Sequence, residues 1–273
     1  MKHKTILNKS GRLLTHFNKL NRPCFTFSEV KKLESNKNED SVRSLLTNMV
    51  NRGLLLRLKS GLYYIIPFDK DPQTFFPDWH SIAQYLVGDT KYYIGYYSAM
   101  QIHSLITQPS LTEQIVVNKQ MKPAVQKIKG IKYQFIYHNV VHFFGWKNIW
   151  IDNYTKVLCS DLEKTFIDCL YKPDYAGGIV EIARAIYKSK DVTDYNRLLD
   201  YAIRFKSQAV IKRLGFLLEL MEINHPVIKK LQKEKTKAFT LLEPSLAREG
   251  KMITRWSIQQ NLDTNFILSP IFT

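Results

Sequence analysis

An α+β fold is predicted by three observations in this 273-residue chain. Two short helix patterns and a β-hairpin pattern occupy the N-terminal quarter. Segments rich in β-branched and aromatic residues follow, and a series of amphipathic helices closes the chain. In order, residues 10–20 place Leu13, Leu14, Phe17 and Leu20 on one side of an initial helix. Ser28 is expected to cap a short helix carrying Val30 and Leu33, and the polar run from Glu34 to residue 38 breaks it. From about Glu39, Val42, Leu45, Leu46, Met49 and Val50 recur at helical spacing until Gly53. A hairpin follows, with apolar runs 54–58 and 62–66 around Lys59, Ser60 and Gly61.

Helix, helix and hairpin in that order are what a winged helix-turn-helix needs. We therefore expect an N-terminal winged helix-turn-helix domain over residues 1–68 and a larger mixed α/β C-terminal domain over 69–273. Pro67, Asp69, Asp71, Pro72 and Pro77 interrupt periodicity between them. In the second region, strands are predicted near 113–118, 131–138 and 149–157. Helices are predicted near 98–105, from Ser160 with Glu163 as a capping box, and at 176–187, 194–205, 207–221 and after Pro226. The end, roughly 238–258, reads as one or two strands.

Charge points to a polyanionic partner. The formal net charge is +16, and residues 1–68 carry 13 Lys and Arg against 4 Asp and Glu, whereas the other 205 carry 27 against 20. Neutralising phosphates releases condensed counterions, so such a segment is suited to DNA. Ser41, Arg43, Ser44 and Asn48 would face the major groove, Arg43 forking onto guanine and Asn48 onto adenine. Lys37, Arg57 and Lys59 would take phosphates or the adjacent minor groove. No secretory pattern, no long apolar run and three cysteines without metal-type spacing predict a cytoplasmic protein with no membrane partner.

Signals for catalysis are weak. Asp69-Lys70-Asp71 has the spacing of a metal-binding carboxylate pair but no Gly-Ser loop before it, and Glu249-Gly250-Lys251 is isolated from Asp78 and Asp174. His138 and His142, Cys169 and the pair Gly177-Gly178 are best explained by packing. No catalytic residue, cofactor or metal is expected.

Four phrases carry a resemblance: residues 96–103 (YYSAMQIH), 161–170 (DLEKTFIDCL), 176–179 (AGGI) and 213–219 (RLGFLLE). Their order and spacing behind the N-terminal module resemble the abortive-infection E antitoxin family, AbiEi. The resemblance implies an antitoxin of a type IV toxin-antitoxin system. Such a protein represses its own promoter by binding inverted repeats through the winged helix. Its C-terminal domain counteracts a nucleotidyltransferase-like toxin, a functional partner without a stable complex. The alternative is a winged-helix transcriptional regulator whose C-terminal domain senses a ligand or protein, with no toxin partner.

Overall fold

A computed structural model describes residues 8–106 and 108–272. It is α+β, and the chain divides into two compact units, Met1–Asp78 and Trp79–Thr273.

The first unit runs α1 (Asn8–Lys19), β1 (Cys24–Thr26), α2 (Phe27–Leu33), α3 (Glu39–Asn51), β2 (Leu55–Lys59) and β3 (Leu62–Ile65). Its strands form one antiparallel sheet in the order β1-β3-β2. Strand β1 has no counterpart in the sequence reading, because three residues are too few to show alternation. Its register, Cys24 opposite Tyr64 and Thr26 opposite Leu62, is set by β3. The α2 cap is also two residues earlier than expected. Thr26 is the N-cap, not Ser28: Thr26 Oγ1 accepts from Glu29 N at 3.3 Å and Glu29 Oε2 accepts from Thr26 N at 2.7 Å. This reciprocal capping box satisfies two donors at once.

Helix α3 begins at Glu39, with Asn38 Oδ1 accepting from Ser41 N at 2.9 Å and Glu39 and Asp40 in the first turn, where carboxylates suit the helix dipole. It ends in a left-handed Gly53 (φ 74°), whose N–H bonds Val50 O while Leu54 N bonds Met49 O. That double closure needs a residue free to adopt positive φ. Val42, Leu46 and Met49 are wholly buried against Phe17, Phe25, Val30 and Leu55, and Phe17 stacks on Phe25 at 4.3 Å.

The second unit runs α4 (Trp79–Val87), β4 (Tyr92–Ile94), α5 (Tyr96–Ile102), β5 (Thr112–Val117), β6 (Val125–Ile128), β7 (Ile131–Tyr137), β8 (Trp146–Trp150) and β9 (Lys156–Ser160). Then come α6 (Leu162–Tyr171), α7 (Gly178–Lys188), α8 (Tyr195–Arg204), α9 (Gln208–Leu220), α10 (Val227–Glu234), β10 (Thr240–Leu241), β11 (Lys251–Ile253), β12 (Ile258–Gln260) and α11 (Thr264–Phe272). Six strands form a mixed sheet in the order β6-β7-β5-β4-β9-β8, and β10-β12-β11 form a small second one. The single strand expected at 149–157 is instead a hairpin of β8 and β9, pairing Ile149 with Val157. Its turn is held by Asp152, whose carboxylate accepts from the backbone of Tyr154 and Thr155. Helices α4 and α11 and strands β4 and β6 are additions to the sequence reading, and the end of the chain holds β10, β11 and β12 where one or two strands were expected.

Candidate nucleic-acid interface

The face of α3 turned away from the core exposes Ser41, Arg43, Ser44, Thr47, Asn48 and Asn51. Helical periodicity alone places them there, since the buried positions 42, 46 and 49 use up the opposite side. Beside this face lies an open groove of about 800 Å³ lined by residues of α3, the turn before it and the start of α1. Four of the seven residues expected to touch DNA line it: Lys37, Ser41, Ser44 and Asn48. Lys37 is additionally ion-paired with Glu34, three residues back.

The other three stand apart from this groove. Arg43 is largely exposed, lies 3.4 Å from Glu39 and covers the Phe27 ring at 4.8 Å. Arg57, exposed on β2, reaches Ser60 Oγ at 3.5 Å. Lys59 ends β2 half-buried, and burial pulls its pKa below the usual lysine value, with the nearby Cys24 thiol opposing. Gly61 turns the hairpin at φ 73°. The groove also contains residues that sequence reasoning did not single out: Lys9 and Ser10 on α1, and Arg52 at the end of α3. Arg52 Nη1 donates to Ser10 Oγ at 3.1 Å across 42 positions of sequence. No local pattern announces such a pair.

In the second unit the polar chemistry is internal. Lys164 and Asp168, one turn apart on α6, are fully buried and ion-paired. Tyr93 donates to Asp168 Oδ2 at 3.0 Å and accepts from Lys164 Nζ at 3.0 Å. His138 lies between two tyrosines, with Nε2 2.7 Å from Tyr96 Oη and Nδ1 3.3 Å from Tyr93 Oη. The pattern closes if Tyr96 donates to Nε2 and Nδ1–H donates to Tyr93, a neutral tautomer assigned from the bonding partners. Burial, reinforced by the Lys164 charge, lowers the His138 pKa to about 2. Burial likewise lowers that of Lys164 and raises that of Asp168, each charge resisting the other's shift. The Lys164 ammonium is further surrounded by the rings of Tyr93, Phe144 and Phe205 at 5.0–5.3 Å. His142 stacks on Phe205 at 3.9 Å.

The remaining candidate motifs have structural roles. The Asp71 carboxylate accepts from Gln73 N and Thr74 Oγ1, forming a local turn. At Gly177-Gly178, both at positive φ, the Glu243 carboxylate bonds Ile179 N at 2.8 Å, and a Cβ on Gly178 would stand 2.9 Å from it. The anion slot at the α7 N-terminus thus holds the protein's own carboxylate. Gly250, at φ 100°, would bring a Cβ within 2.1 Å of Gln260 O. Helix α6 is capped by Asp161, not Ser160, through Lys164 N at 2.8 Å, while Glu163 accepts from Asp194 N at the head of α8. Among the described residues no group of three or more His, Cys, Asp or Glu could hold a metal ion, and no helix is long and apolar enough to cross a membrane.

The four phrases 96–103, 161–170, 176–179 and 213–219 coincide with these tie-points. Arg213, pulled down to about pKa 10 by burial, donates to Leu170 O and Leu241 O. Gly215 leaves room for Trp256, whose ring would be 2.0 Å from a Cβ there, and Glu219 binds Trp256 Nε1 and Arg255.

No family model matches the sequence, and no curated protein does. A solved structure does: the crystal structure of RV2827C protein from Mycobacterium tuberculosis has a TM-score of 0.68. The match covers 100% of this chain and 97% of that chain, at 13% identity. At that identity the likeness shows a shared fold.

Proposed function

We propose that the first unit is a winged helix-turn-helix that binds double-stranded DNA, with α3 in the major groove and the β2–β3 hairpin as the wing. The observation that carries this reading is the alignment along one open groove of Ser41, Ser44 and Asn48, on a helix whose other side is buried, with Lys37 in the turn before it. Asn48 can pair bidentately with adenine, and the serines can take either donor or acceptor edges. The local excess of basic residues supplies sequence-independent affinity.

Taken with the resemblance to AbiEi, the protein acts as an autorepressor at inverted repeats in its own promoter. It serves as the antitoxin to a nucleotidyltransferase-like toxin through the second unit. The mutual bonding of Lys164, Asp168, Tyr93, Tyr96 and His138 supports a structural role for that cluster more than a catalytic one.

Two measurements test the halves separately. Footprinting upstream of the gene should show salt-sensitive protection of paired half-sites. Asn48→Ala should cost about 1–3 kcal/mol of discrimination at one base position. Protection that is absent, or indifferent to Asn48, removes the repressor reading. Co-expression with the adjacent gene product tests antitoxicity, and failure to rescue growth removes it.

A further inference from the structure

Arg52, in the groove beside α3, is a cation whose guanidinium is incompletely bonded among the described residues. Arg52 caps the C-terminal end of α3, and its Nη1 is held by Ser10 Oγ at 3.1 Å, while its Nη2 is buried without a hydrogen-bond partner among the described residues. A buried N–H without an acceptor is a standing cost that an incoming acceptor removes. Ser10 is itself buried, on the first turn of α1, and Lys9 is exposed beside it. All three line the same groove as Ser41, Ser44 and Asn48.

We infer that Arg52, positioned by Ser10 and flanked by Lys9, is the seat for one backbone phosphate of the DNA bordering the α3 reading face. This rests on the DNA-binding reading and adds residues to it. Distance favours the assignment. Lys37 precedes the N-cap of α3 and Arg52 is its C-cap, and the 13 residues between the caps span about 20 Å at a rise of 1.5 Å per residue. The major groove is about 12 Å wide. A helix laid obliquely across it therefore brings both ends to the phosphate walls, one served by Lys37 and the other by Arg52. The planar guanidinium suits a phosphate, offering two parallel donors where a lysine offers a point charge. Fixing that phosphate also fixes how far Asn48 and Ser44 enter the groove, so the contact sets register without reading bases.

The test uses the full chain and two duplexes, one from upstream of its own gene and one scrambled, each titrated at several salt concentrations. R52Q should bind both duplexes roughly tenfold more weakly and reduce the magnitude of the log K against log salt slope by about 1. R52K should keep the wild-type slope at intermediate affinity. S10A, a smaller change that keeps the charge, should weaken both duplexes equally at unchanged slope, and it carries the test if R52Q does not fold. A Tm measurement on each variant separates packing loss from phosphate loss. R52Q and S10A variants that are folded and bind as the wild type does overturn the seat and leave the α3 reading standing. A wild-type protein that binds neither duplex overturns both.

Discussion

Helix α3 in the first unit and helix α6 in the second both carry polar residues through an apolar setting. On α3, Ser41, Ser44, Thr47, Asn48 and Asn51 stand exposed beside an open groove, with Arg52 Nη2 left unpaired among the described residues. On α6, Lys164 and Asp168 have no exposure, and their bonds close on each other, on Tyr93 and through it on His138. The difference separates binding from holding. A polar group bonded inside a low-dielectric core specifies one packing and has nothing left to offer a ligand. The exposed α3 side chains, held at the surface by a rigid helix, have paid no desolvation and remain available.

The comparison is most directly broken at Asp168. Asp168→Ala should destabilise the second unit by about 3–5 kcal/mol, because it strands the Lys164 charge among three rings. Replacing both partners with apolar residues (K164M with D168L) should regain most of that loss in chemical denaturation. If the single change is silent, the network is not what holds α6 to the sheet.

The second prediction concerns acid. The folded His138 pKa, near 2, lies below its ordinary value of 6.5, so the unfolded chain takes up the proton first. Its contribution is therefore fully present above pH 6.5 and is lost as pH falls toward 2, at up to about 1.4 kcal/mol per pH unit. His142 and His103, also lowered by burial, act in the same direction, while the raised Asp161 and Asp168 oppose it in more acidic solution. His138→Gln can still accept from Tyr96 and donate to Tyr93, but it cannot titrate. The difference in urea stability between it and wild type should shrink as pH is lowered from 7. A constant difference would mean that His138 binds its proton equally well in the folded and unfolded chain, and a widening one that it is protonated in the fold.

The smallest effect belongs to the first unit. Thr26→Ala removes the side-chain half of the α2 capping box, the bond from Glu29 N to Thr26 Oγ1, leaves Thr26 N donating to Glu29, and should cost about 1 kcal/mol. Hydrogen exchange should register it in α2 and β1, leaving α6 protection unchanged. Equal loosening of α6 would mean that the two units do not hold their cores independently.

Much of α3 was legible in the sequence because its signals are local. The apolar spacing from Val42 to Val50 and the Gly53 that ends it lie in one short stretch of chain, whereas the Asn38 cap was not read from it. The exposed candidates Ser41, Ser44 and Asn48 followed from the same periodicity. Arg43 was placed on the correct side, yet its position over Phe27 depends on how α2 packs. Lys59 read as part of an exposed tip, while the sheet half-buries it. Capping predictions slipped at Ser28 and Ser160 for one reason: an acceptor side chain is available at several neighbouring positions, and the entering backbone chooses among them.

Local pattern settled the α+β composition, the helix-helix-hairpin order at the N-terminus, and which side of α3 faces water. Each depends on a period or a terminator spanning a few residues. Packing of distant segments placed Lys164 and Asp168 in one core with Tyr93 and His138, set Glu243 in the slot opened by Gly177 and Gly178, and brought Arg52 to Ser10. Those contacts join positions 42 to 75 residues apart, or turn on which face of a helix the sheet covers. Spacing within a segment cannot encode such pairings, because the energy that selects them comes from burial after the segments have met.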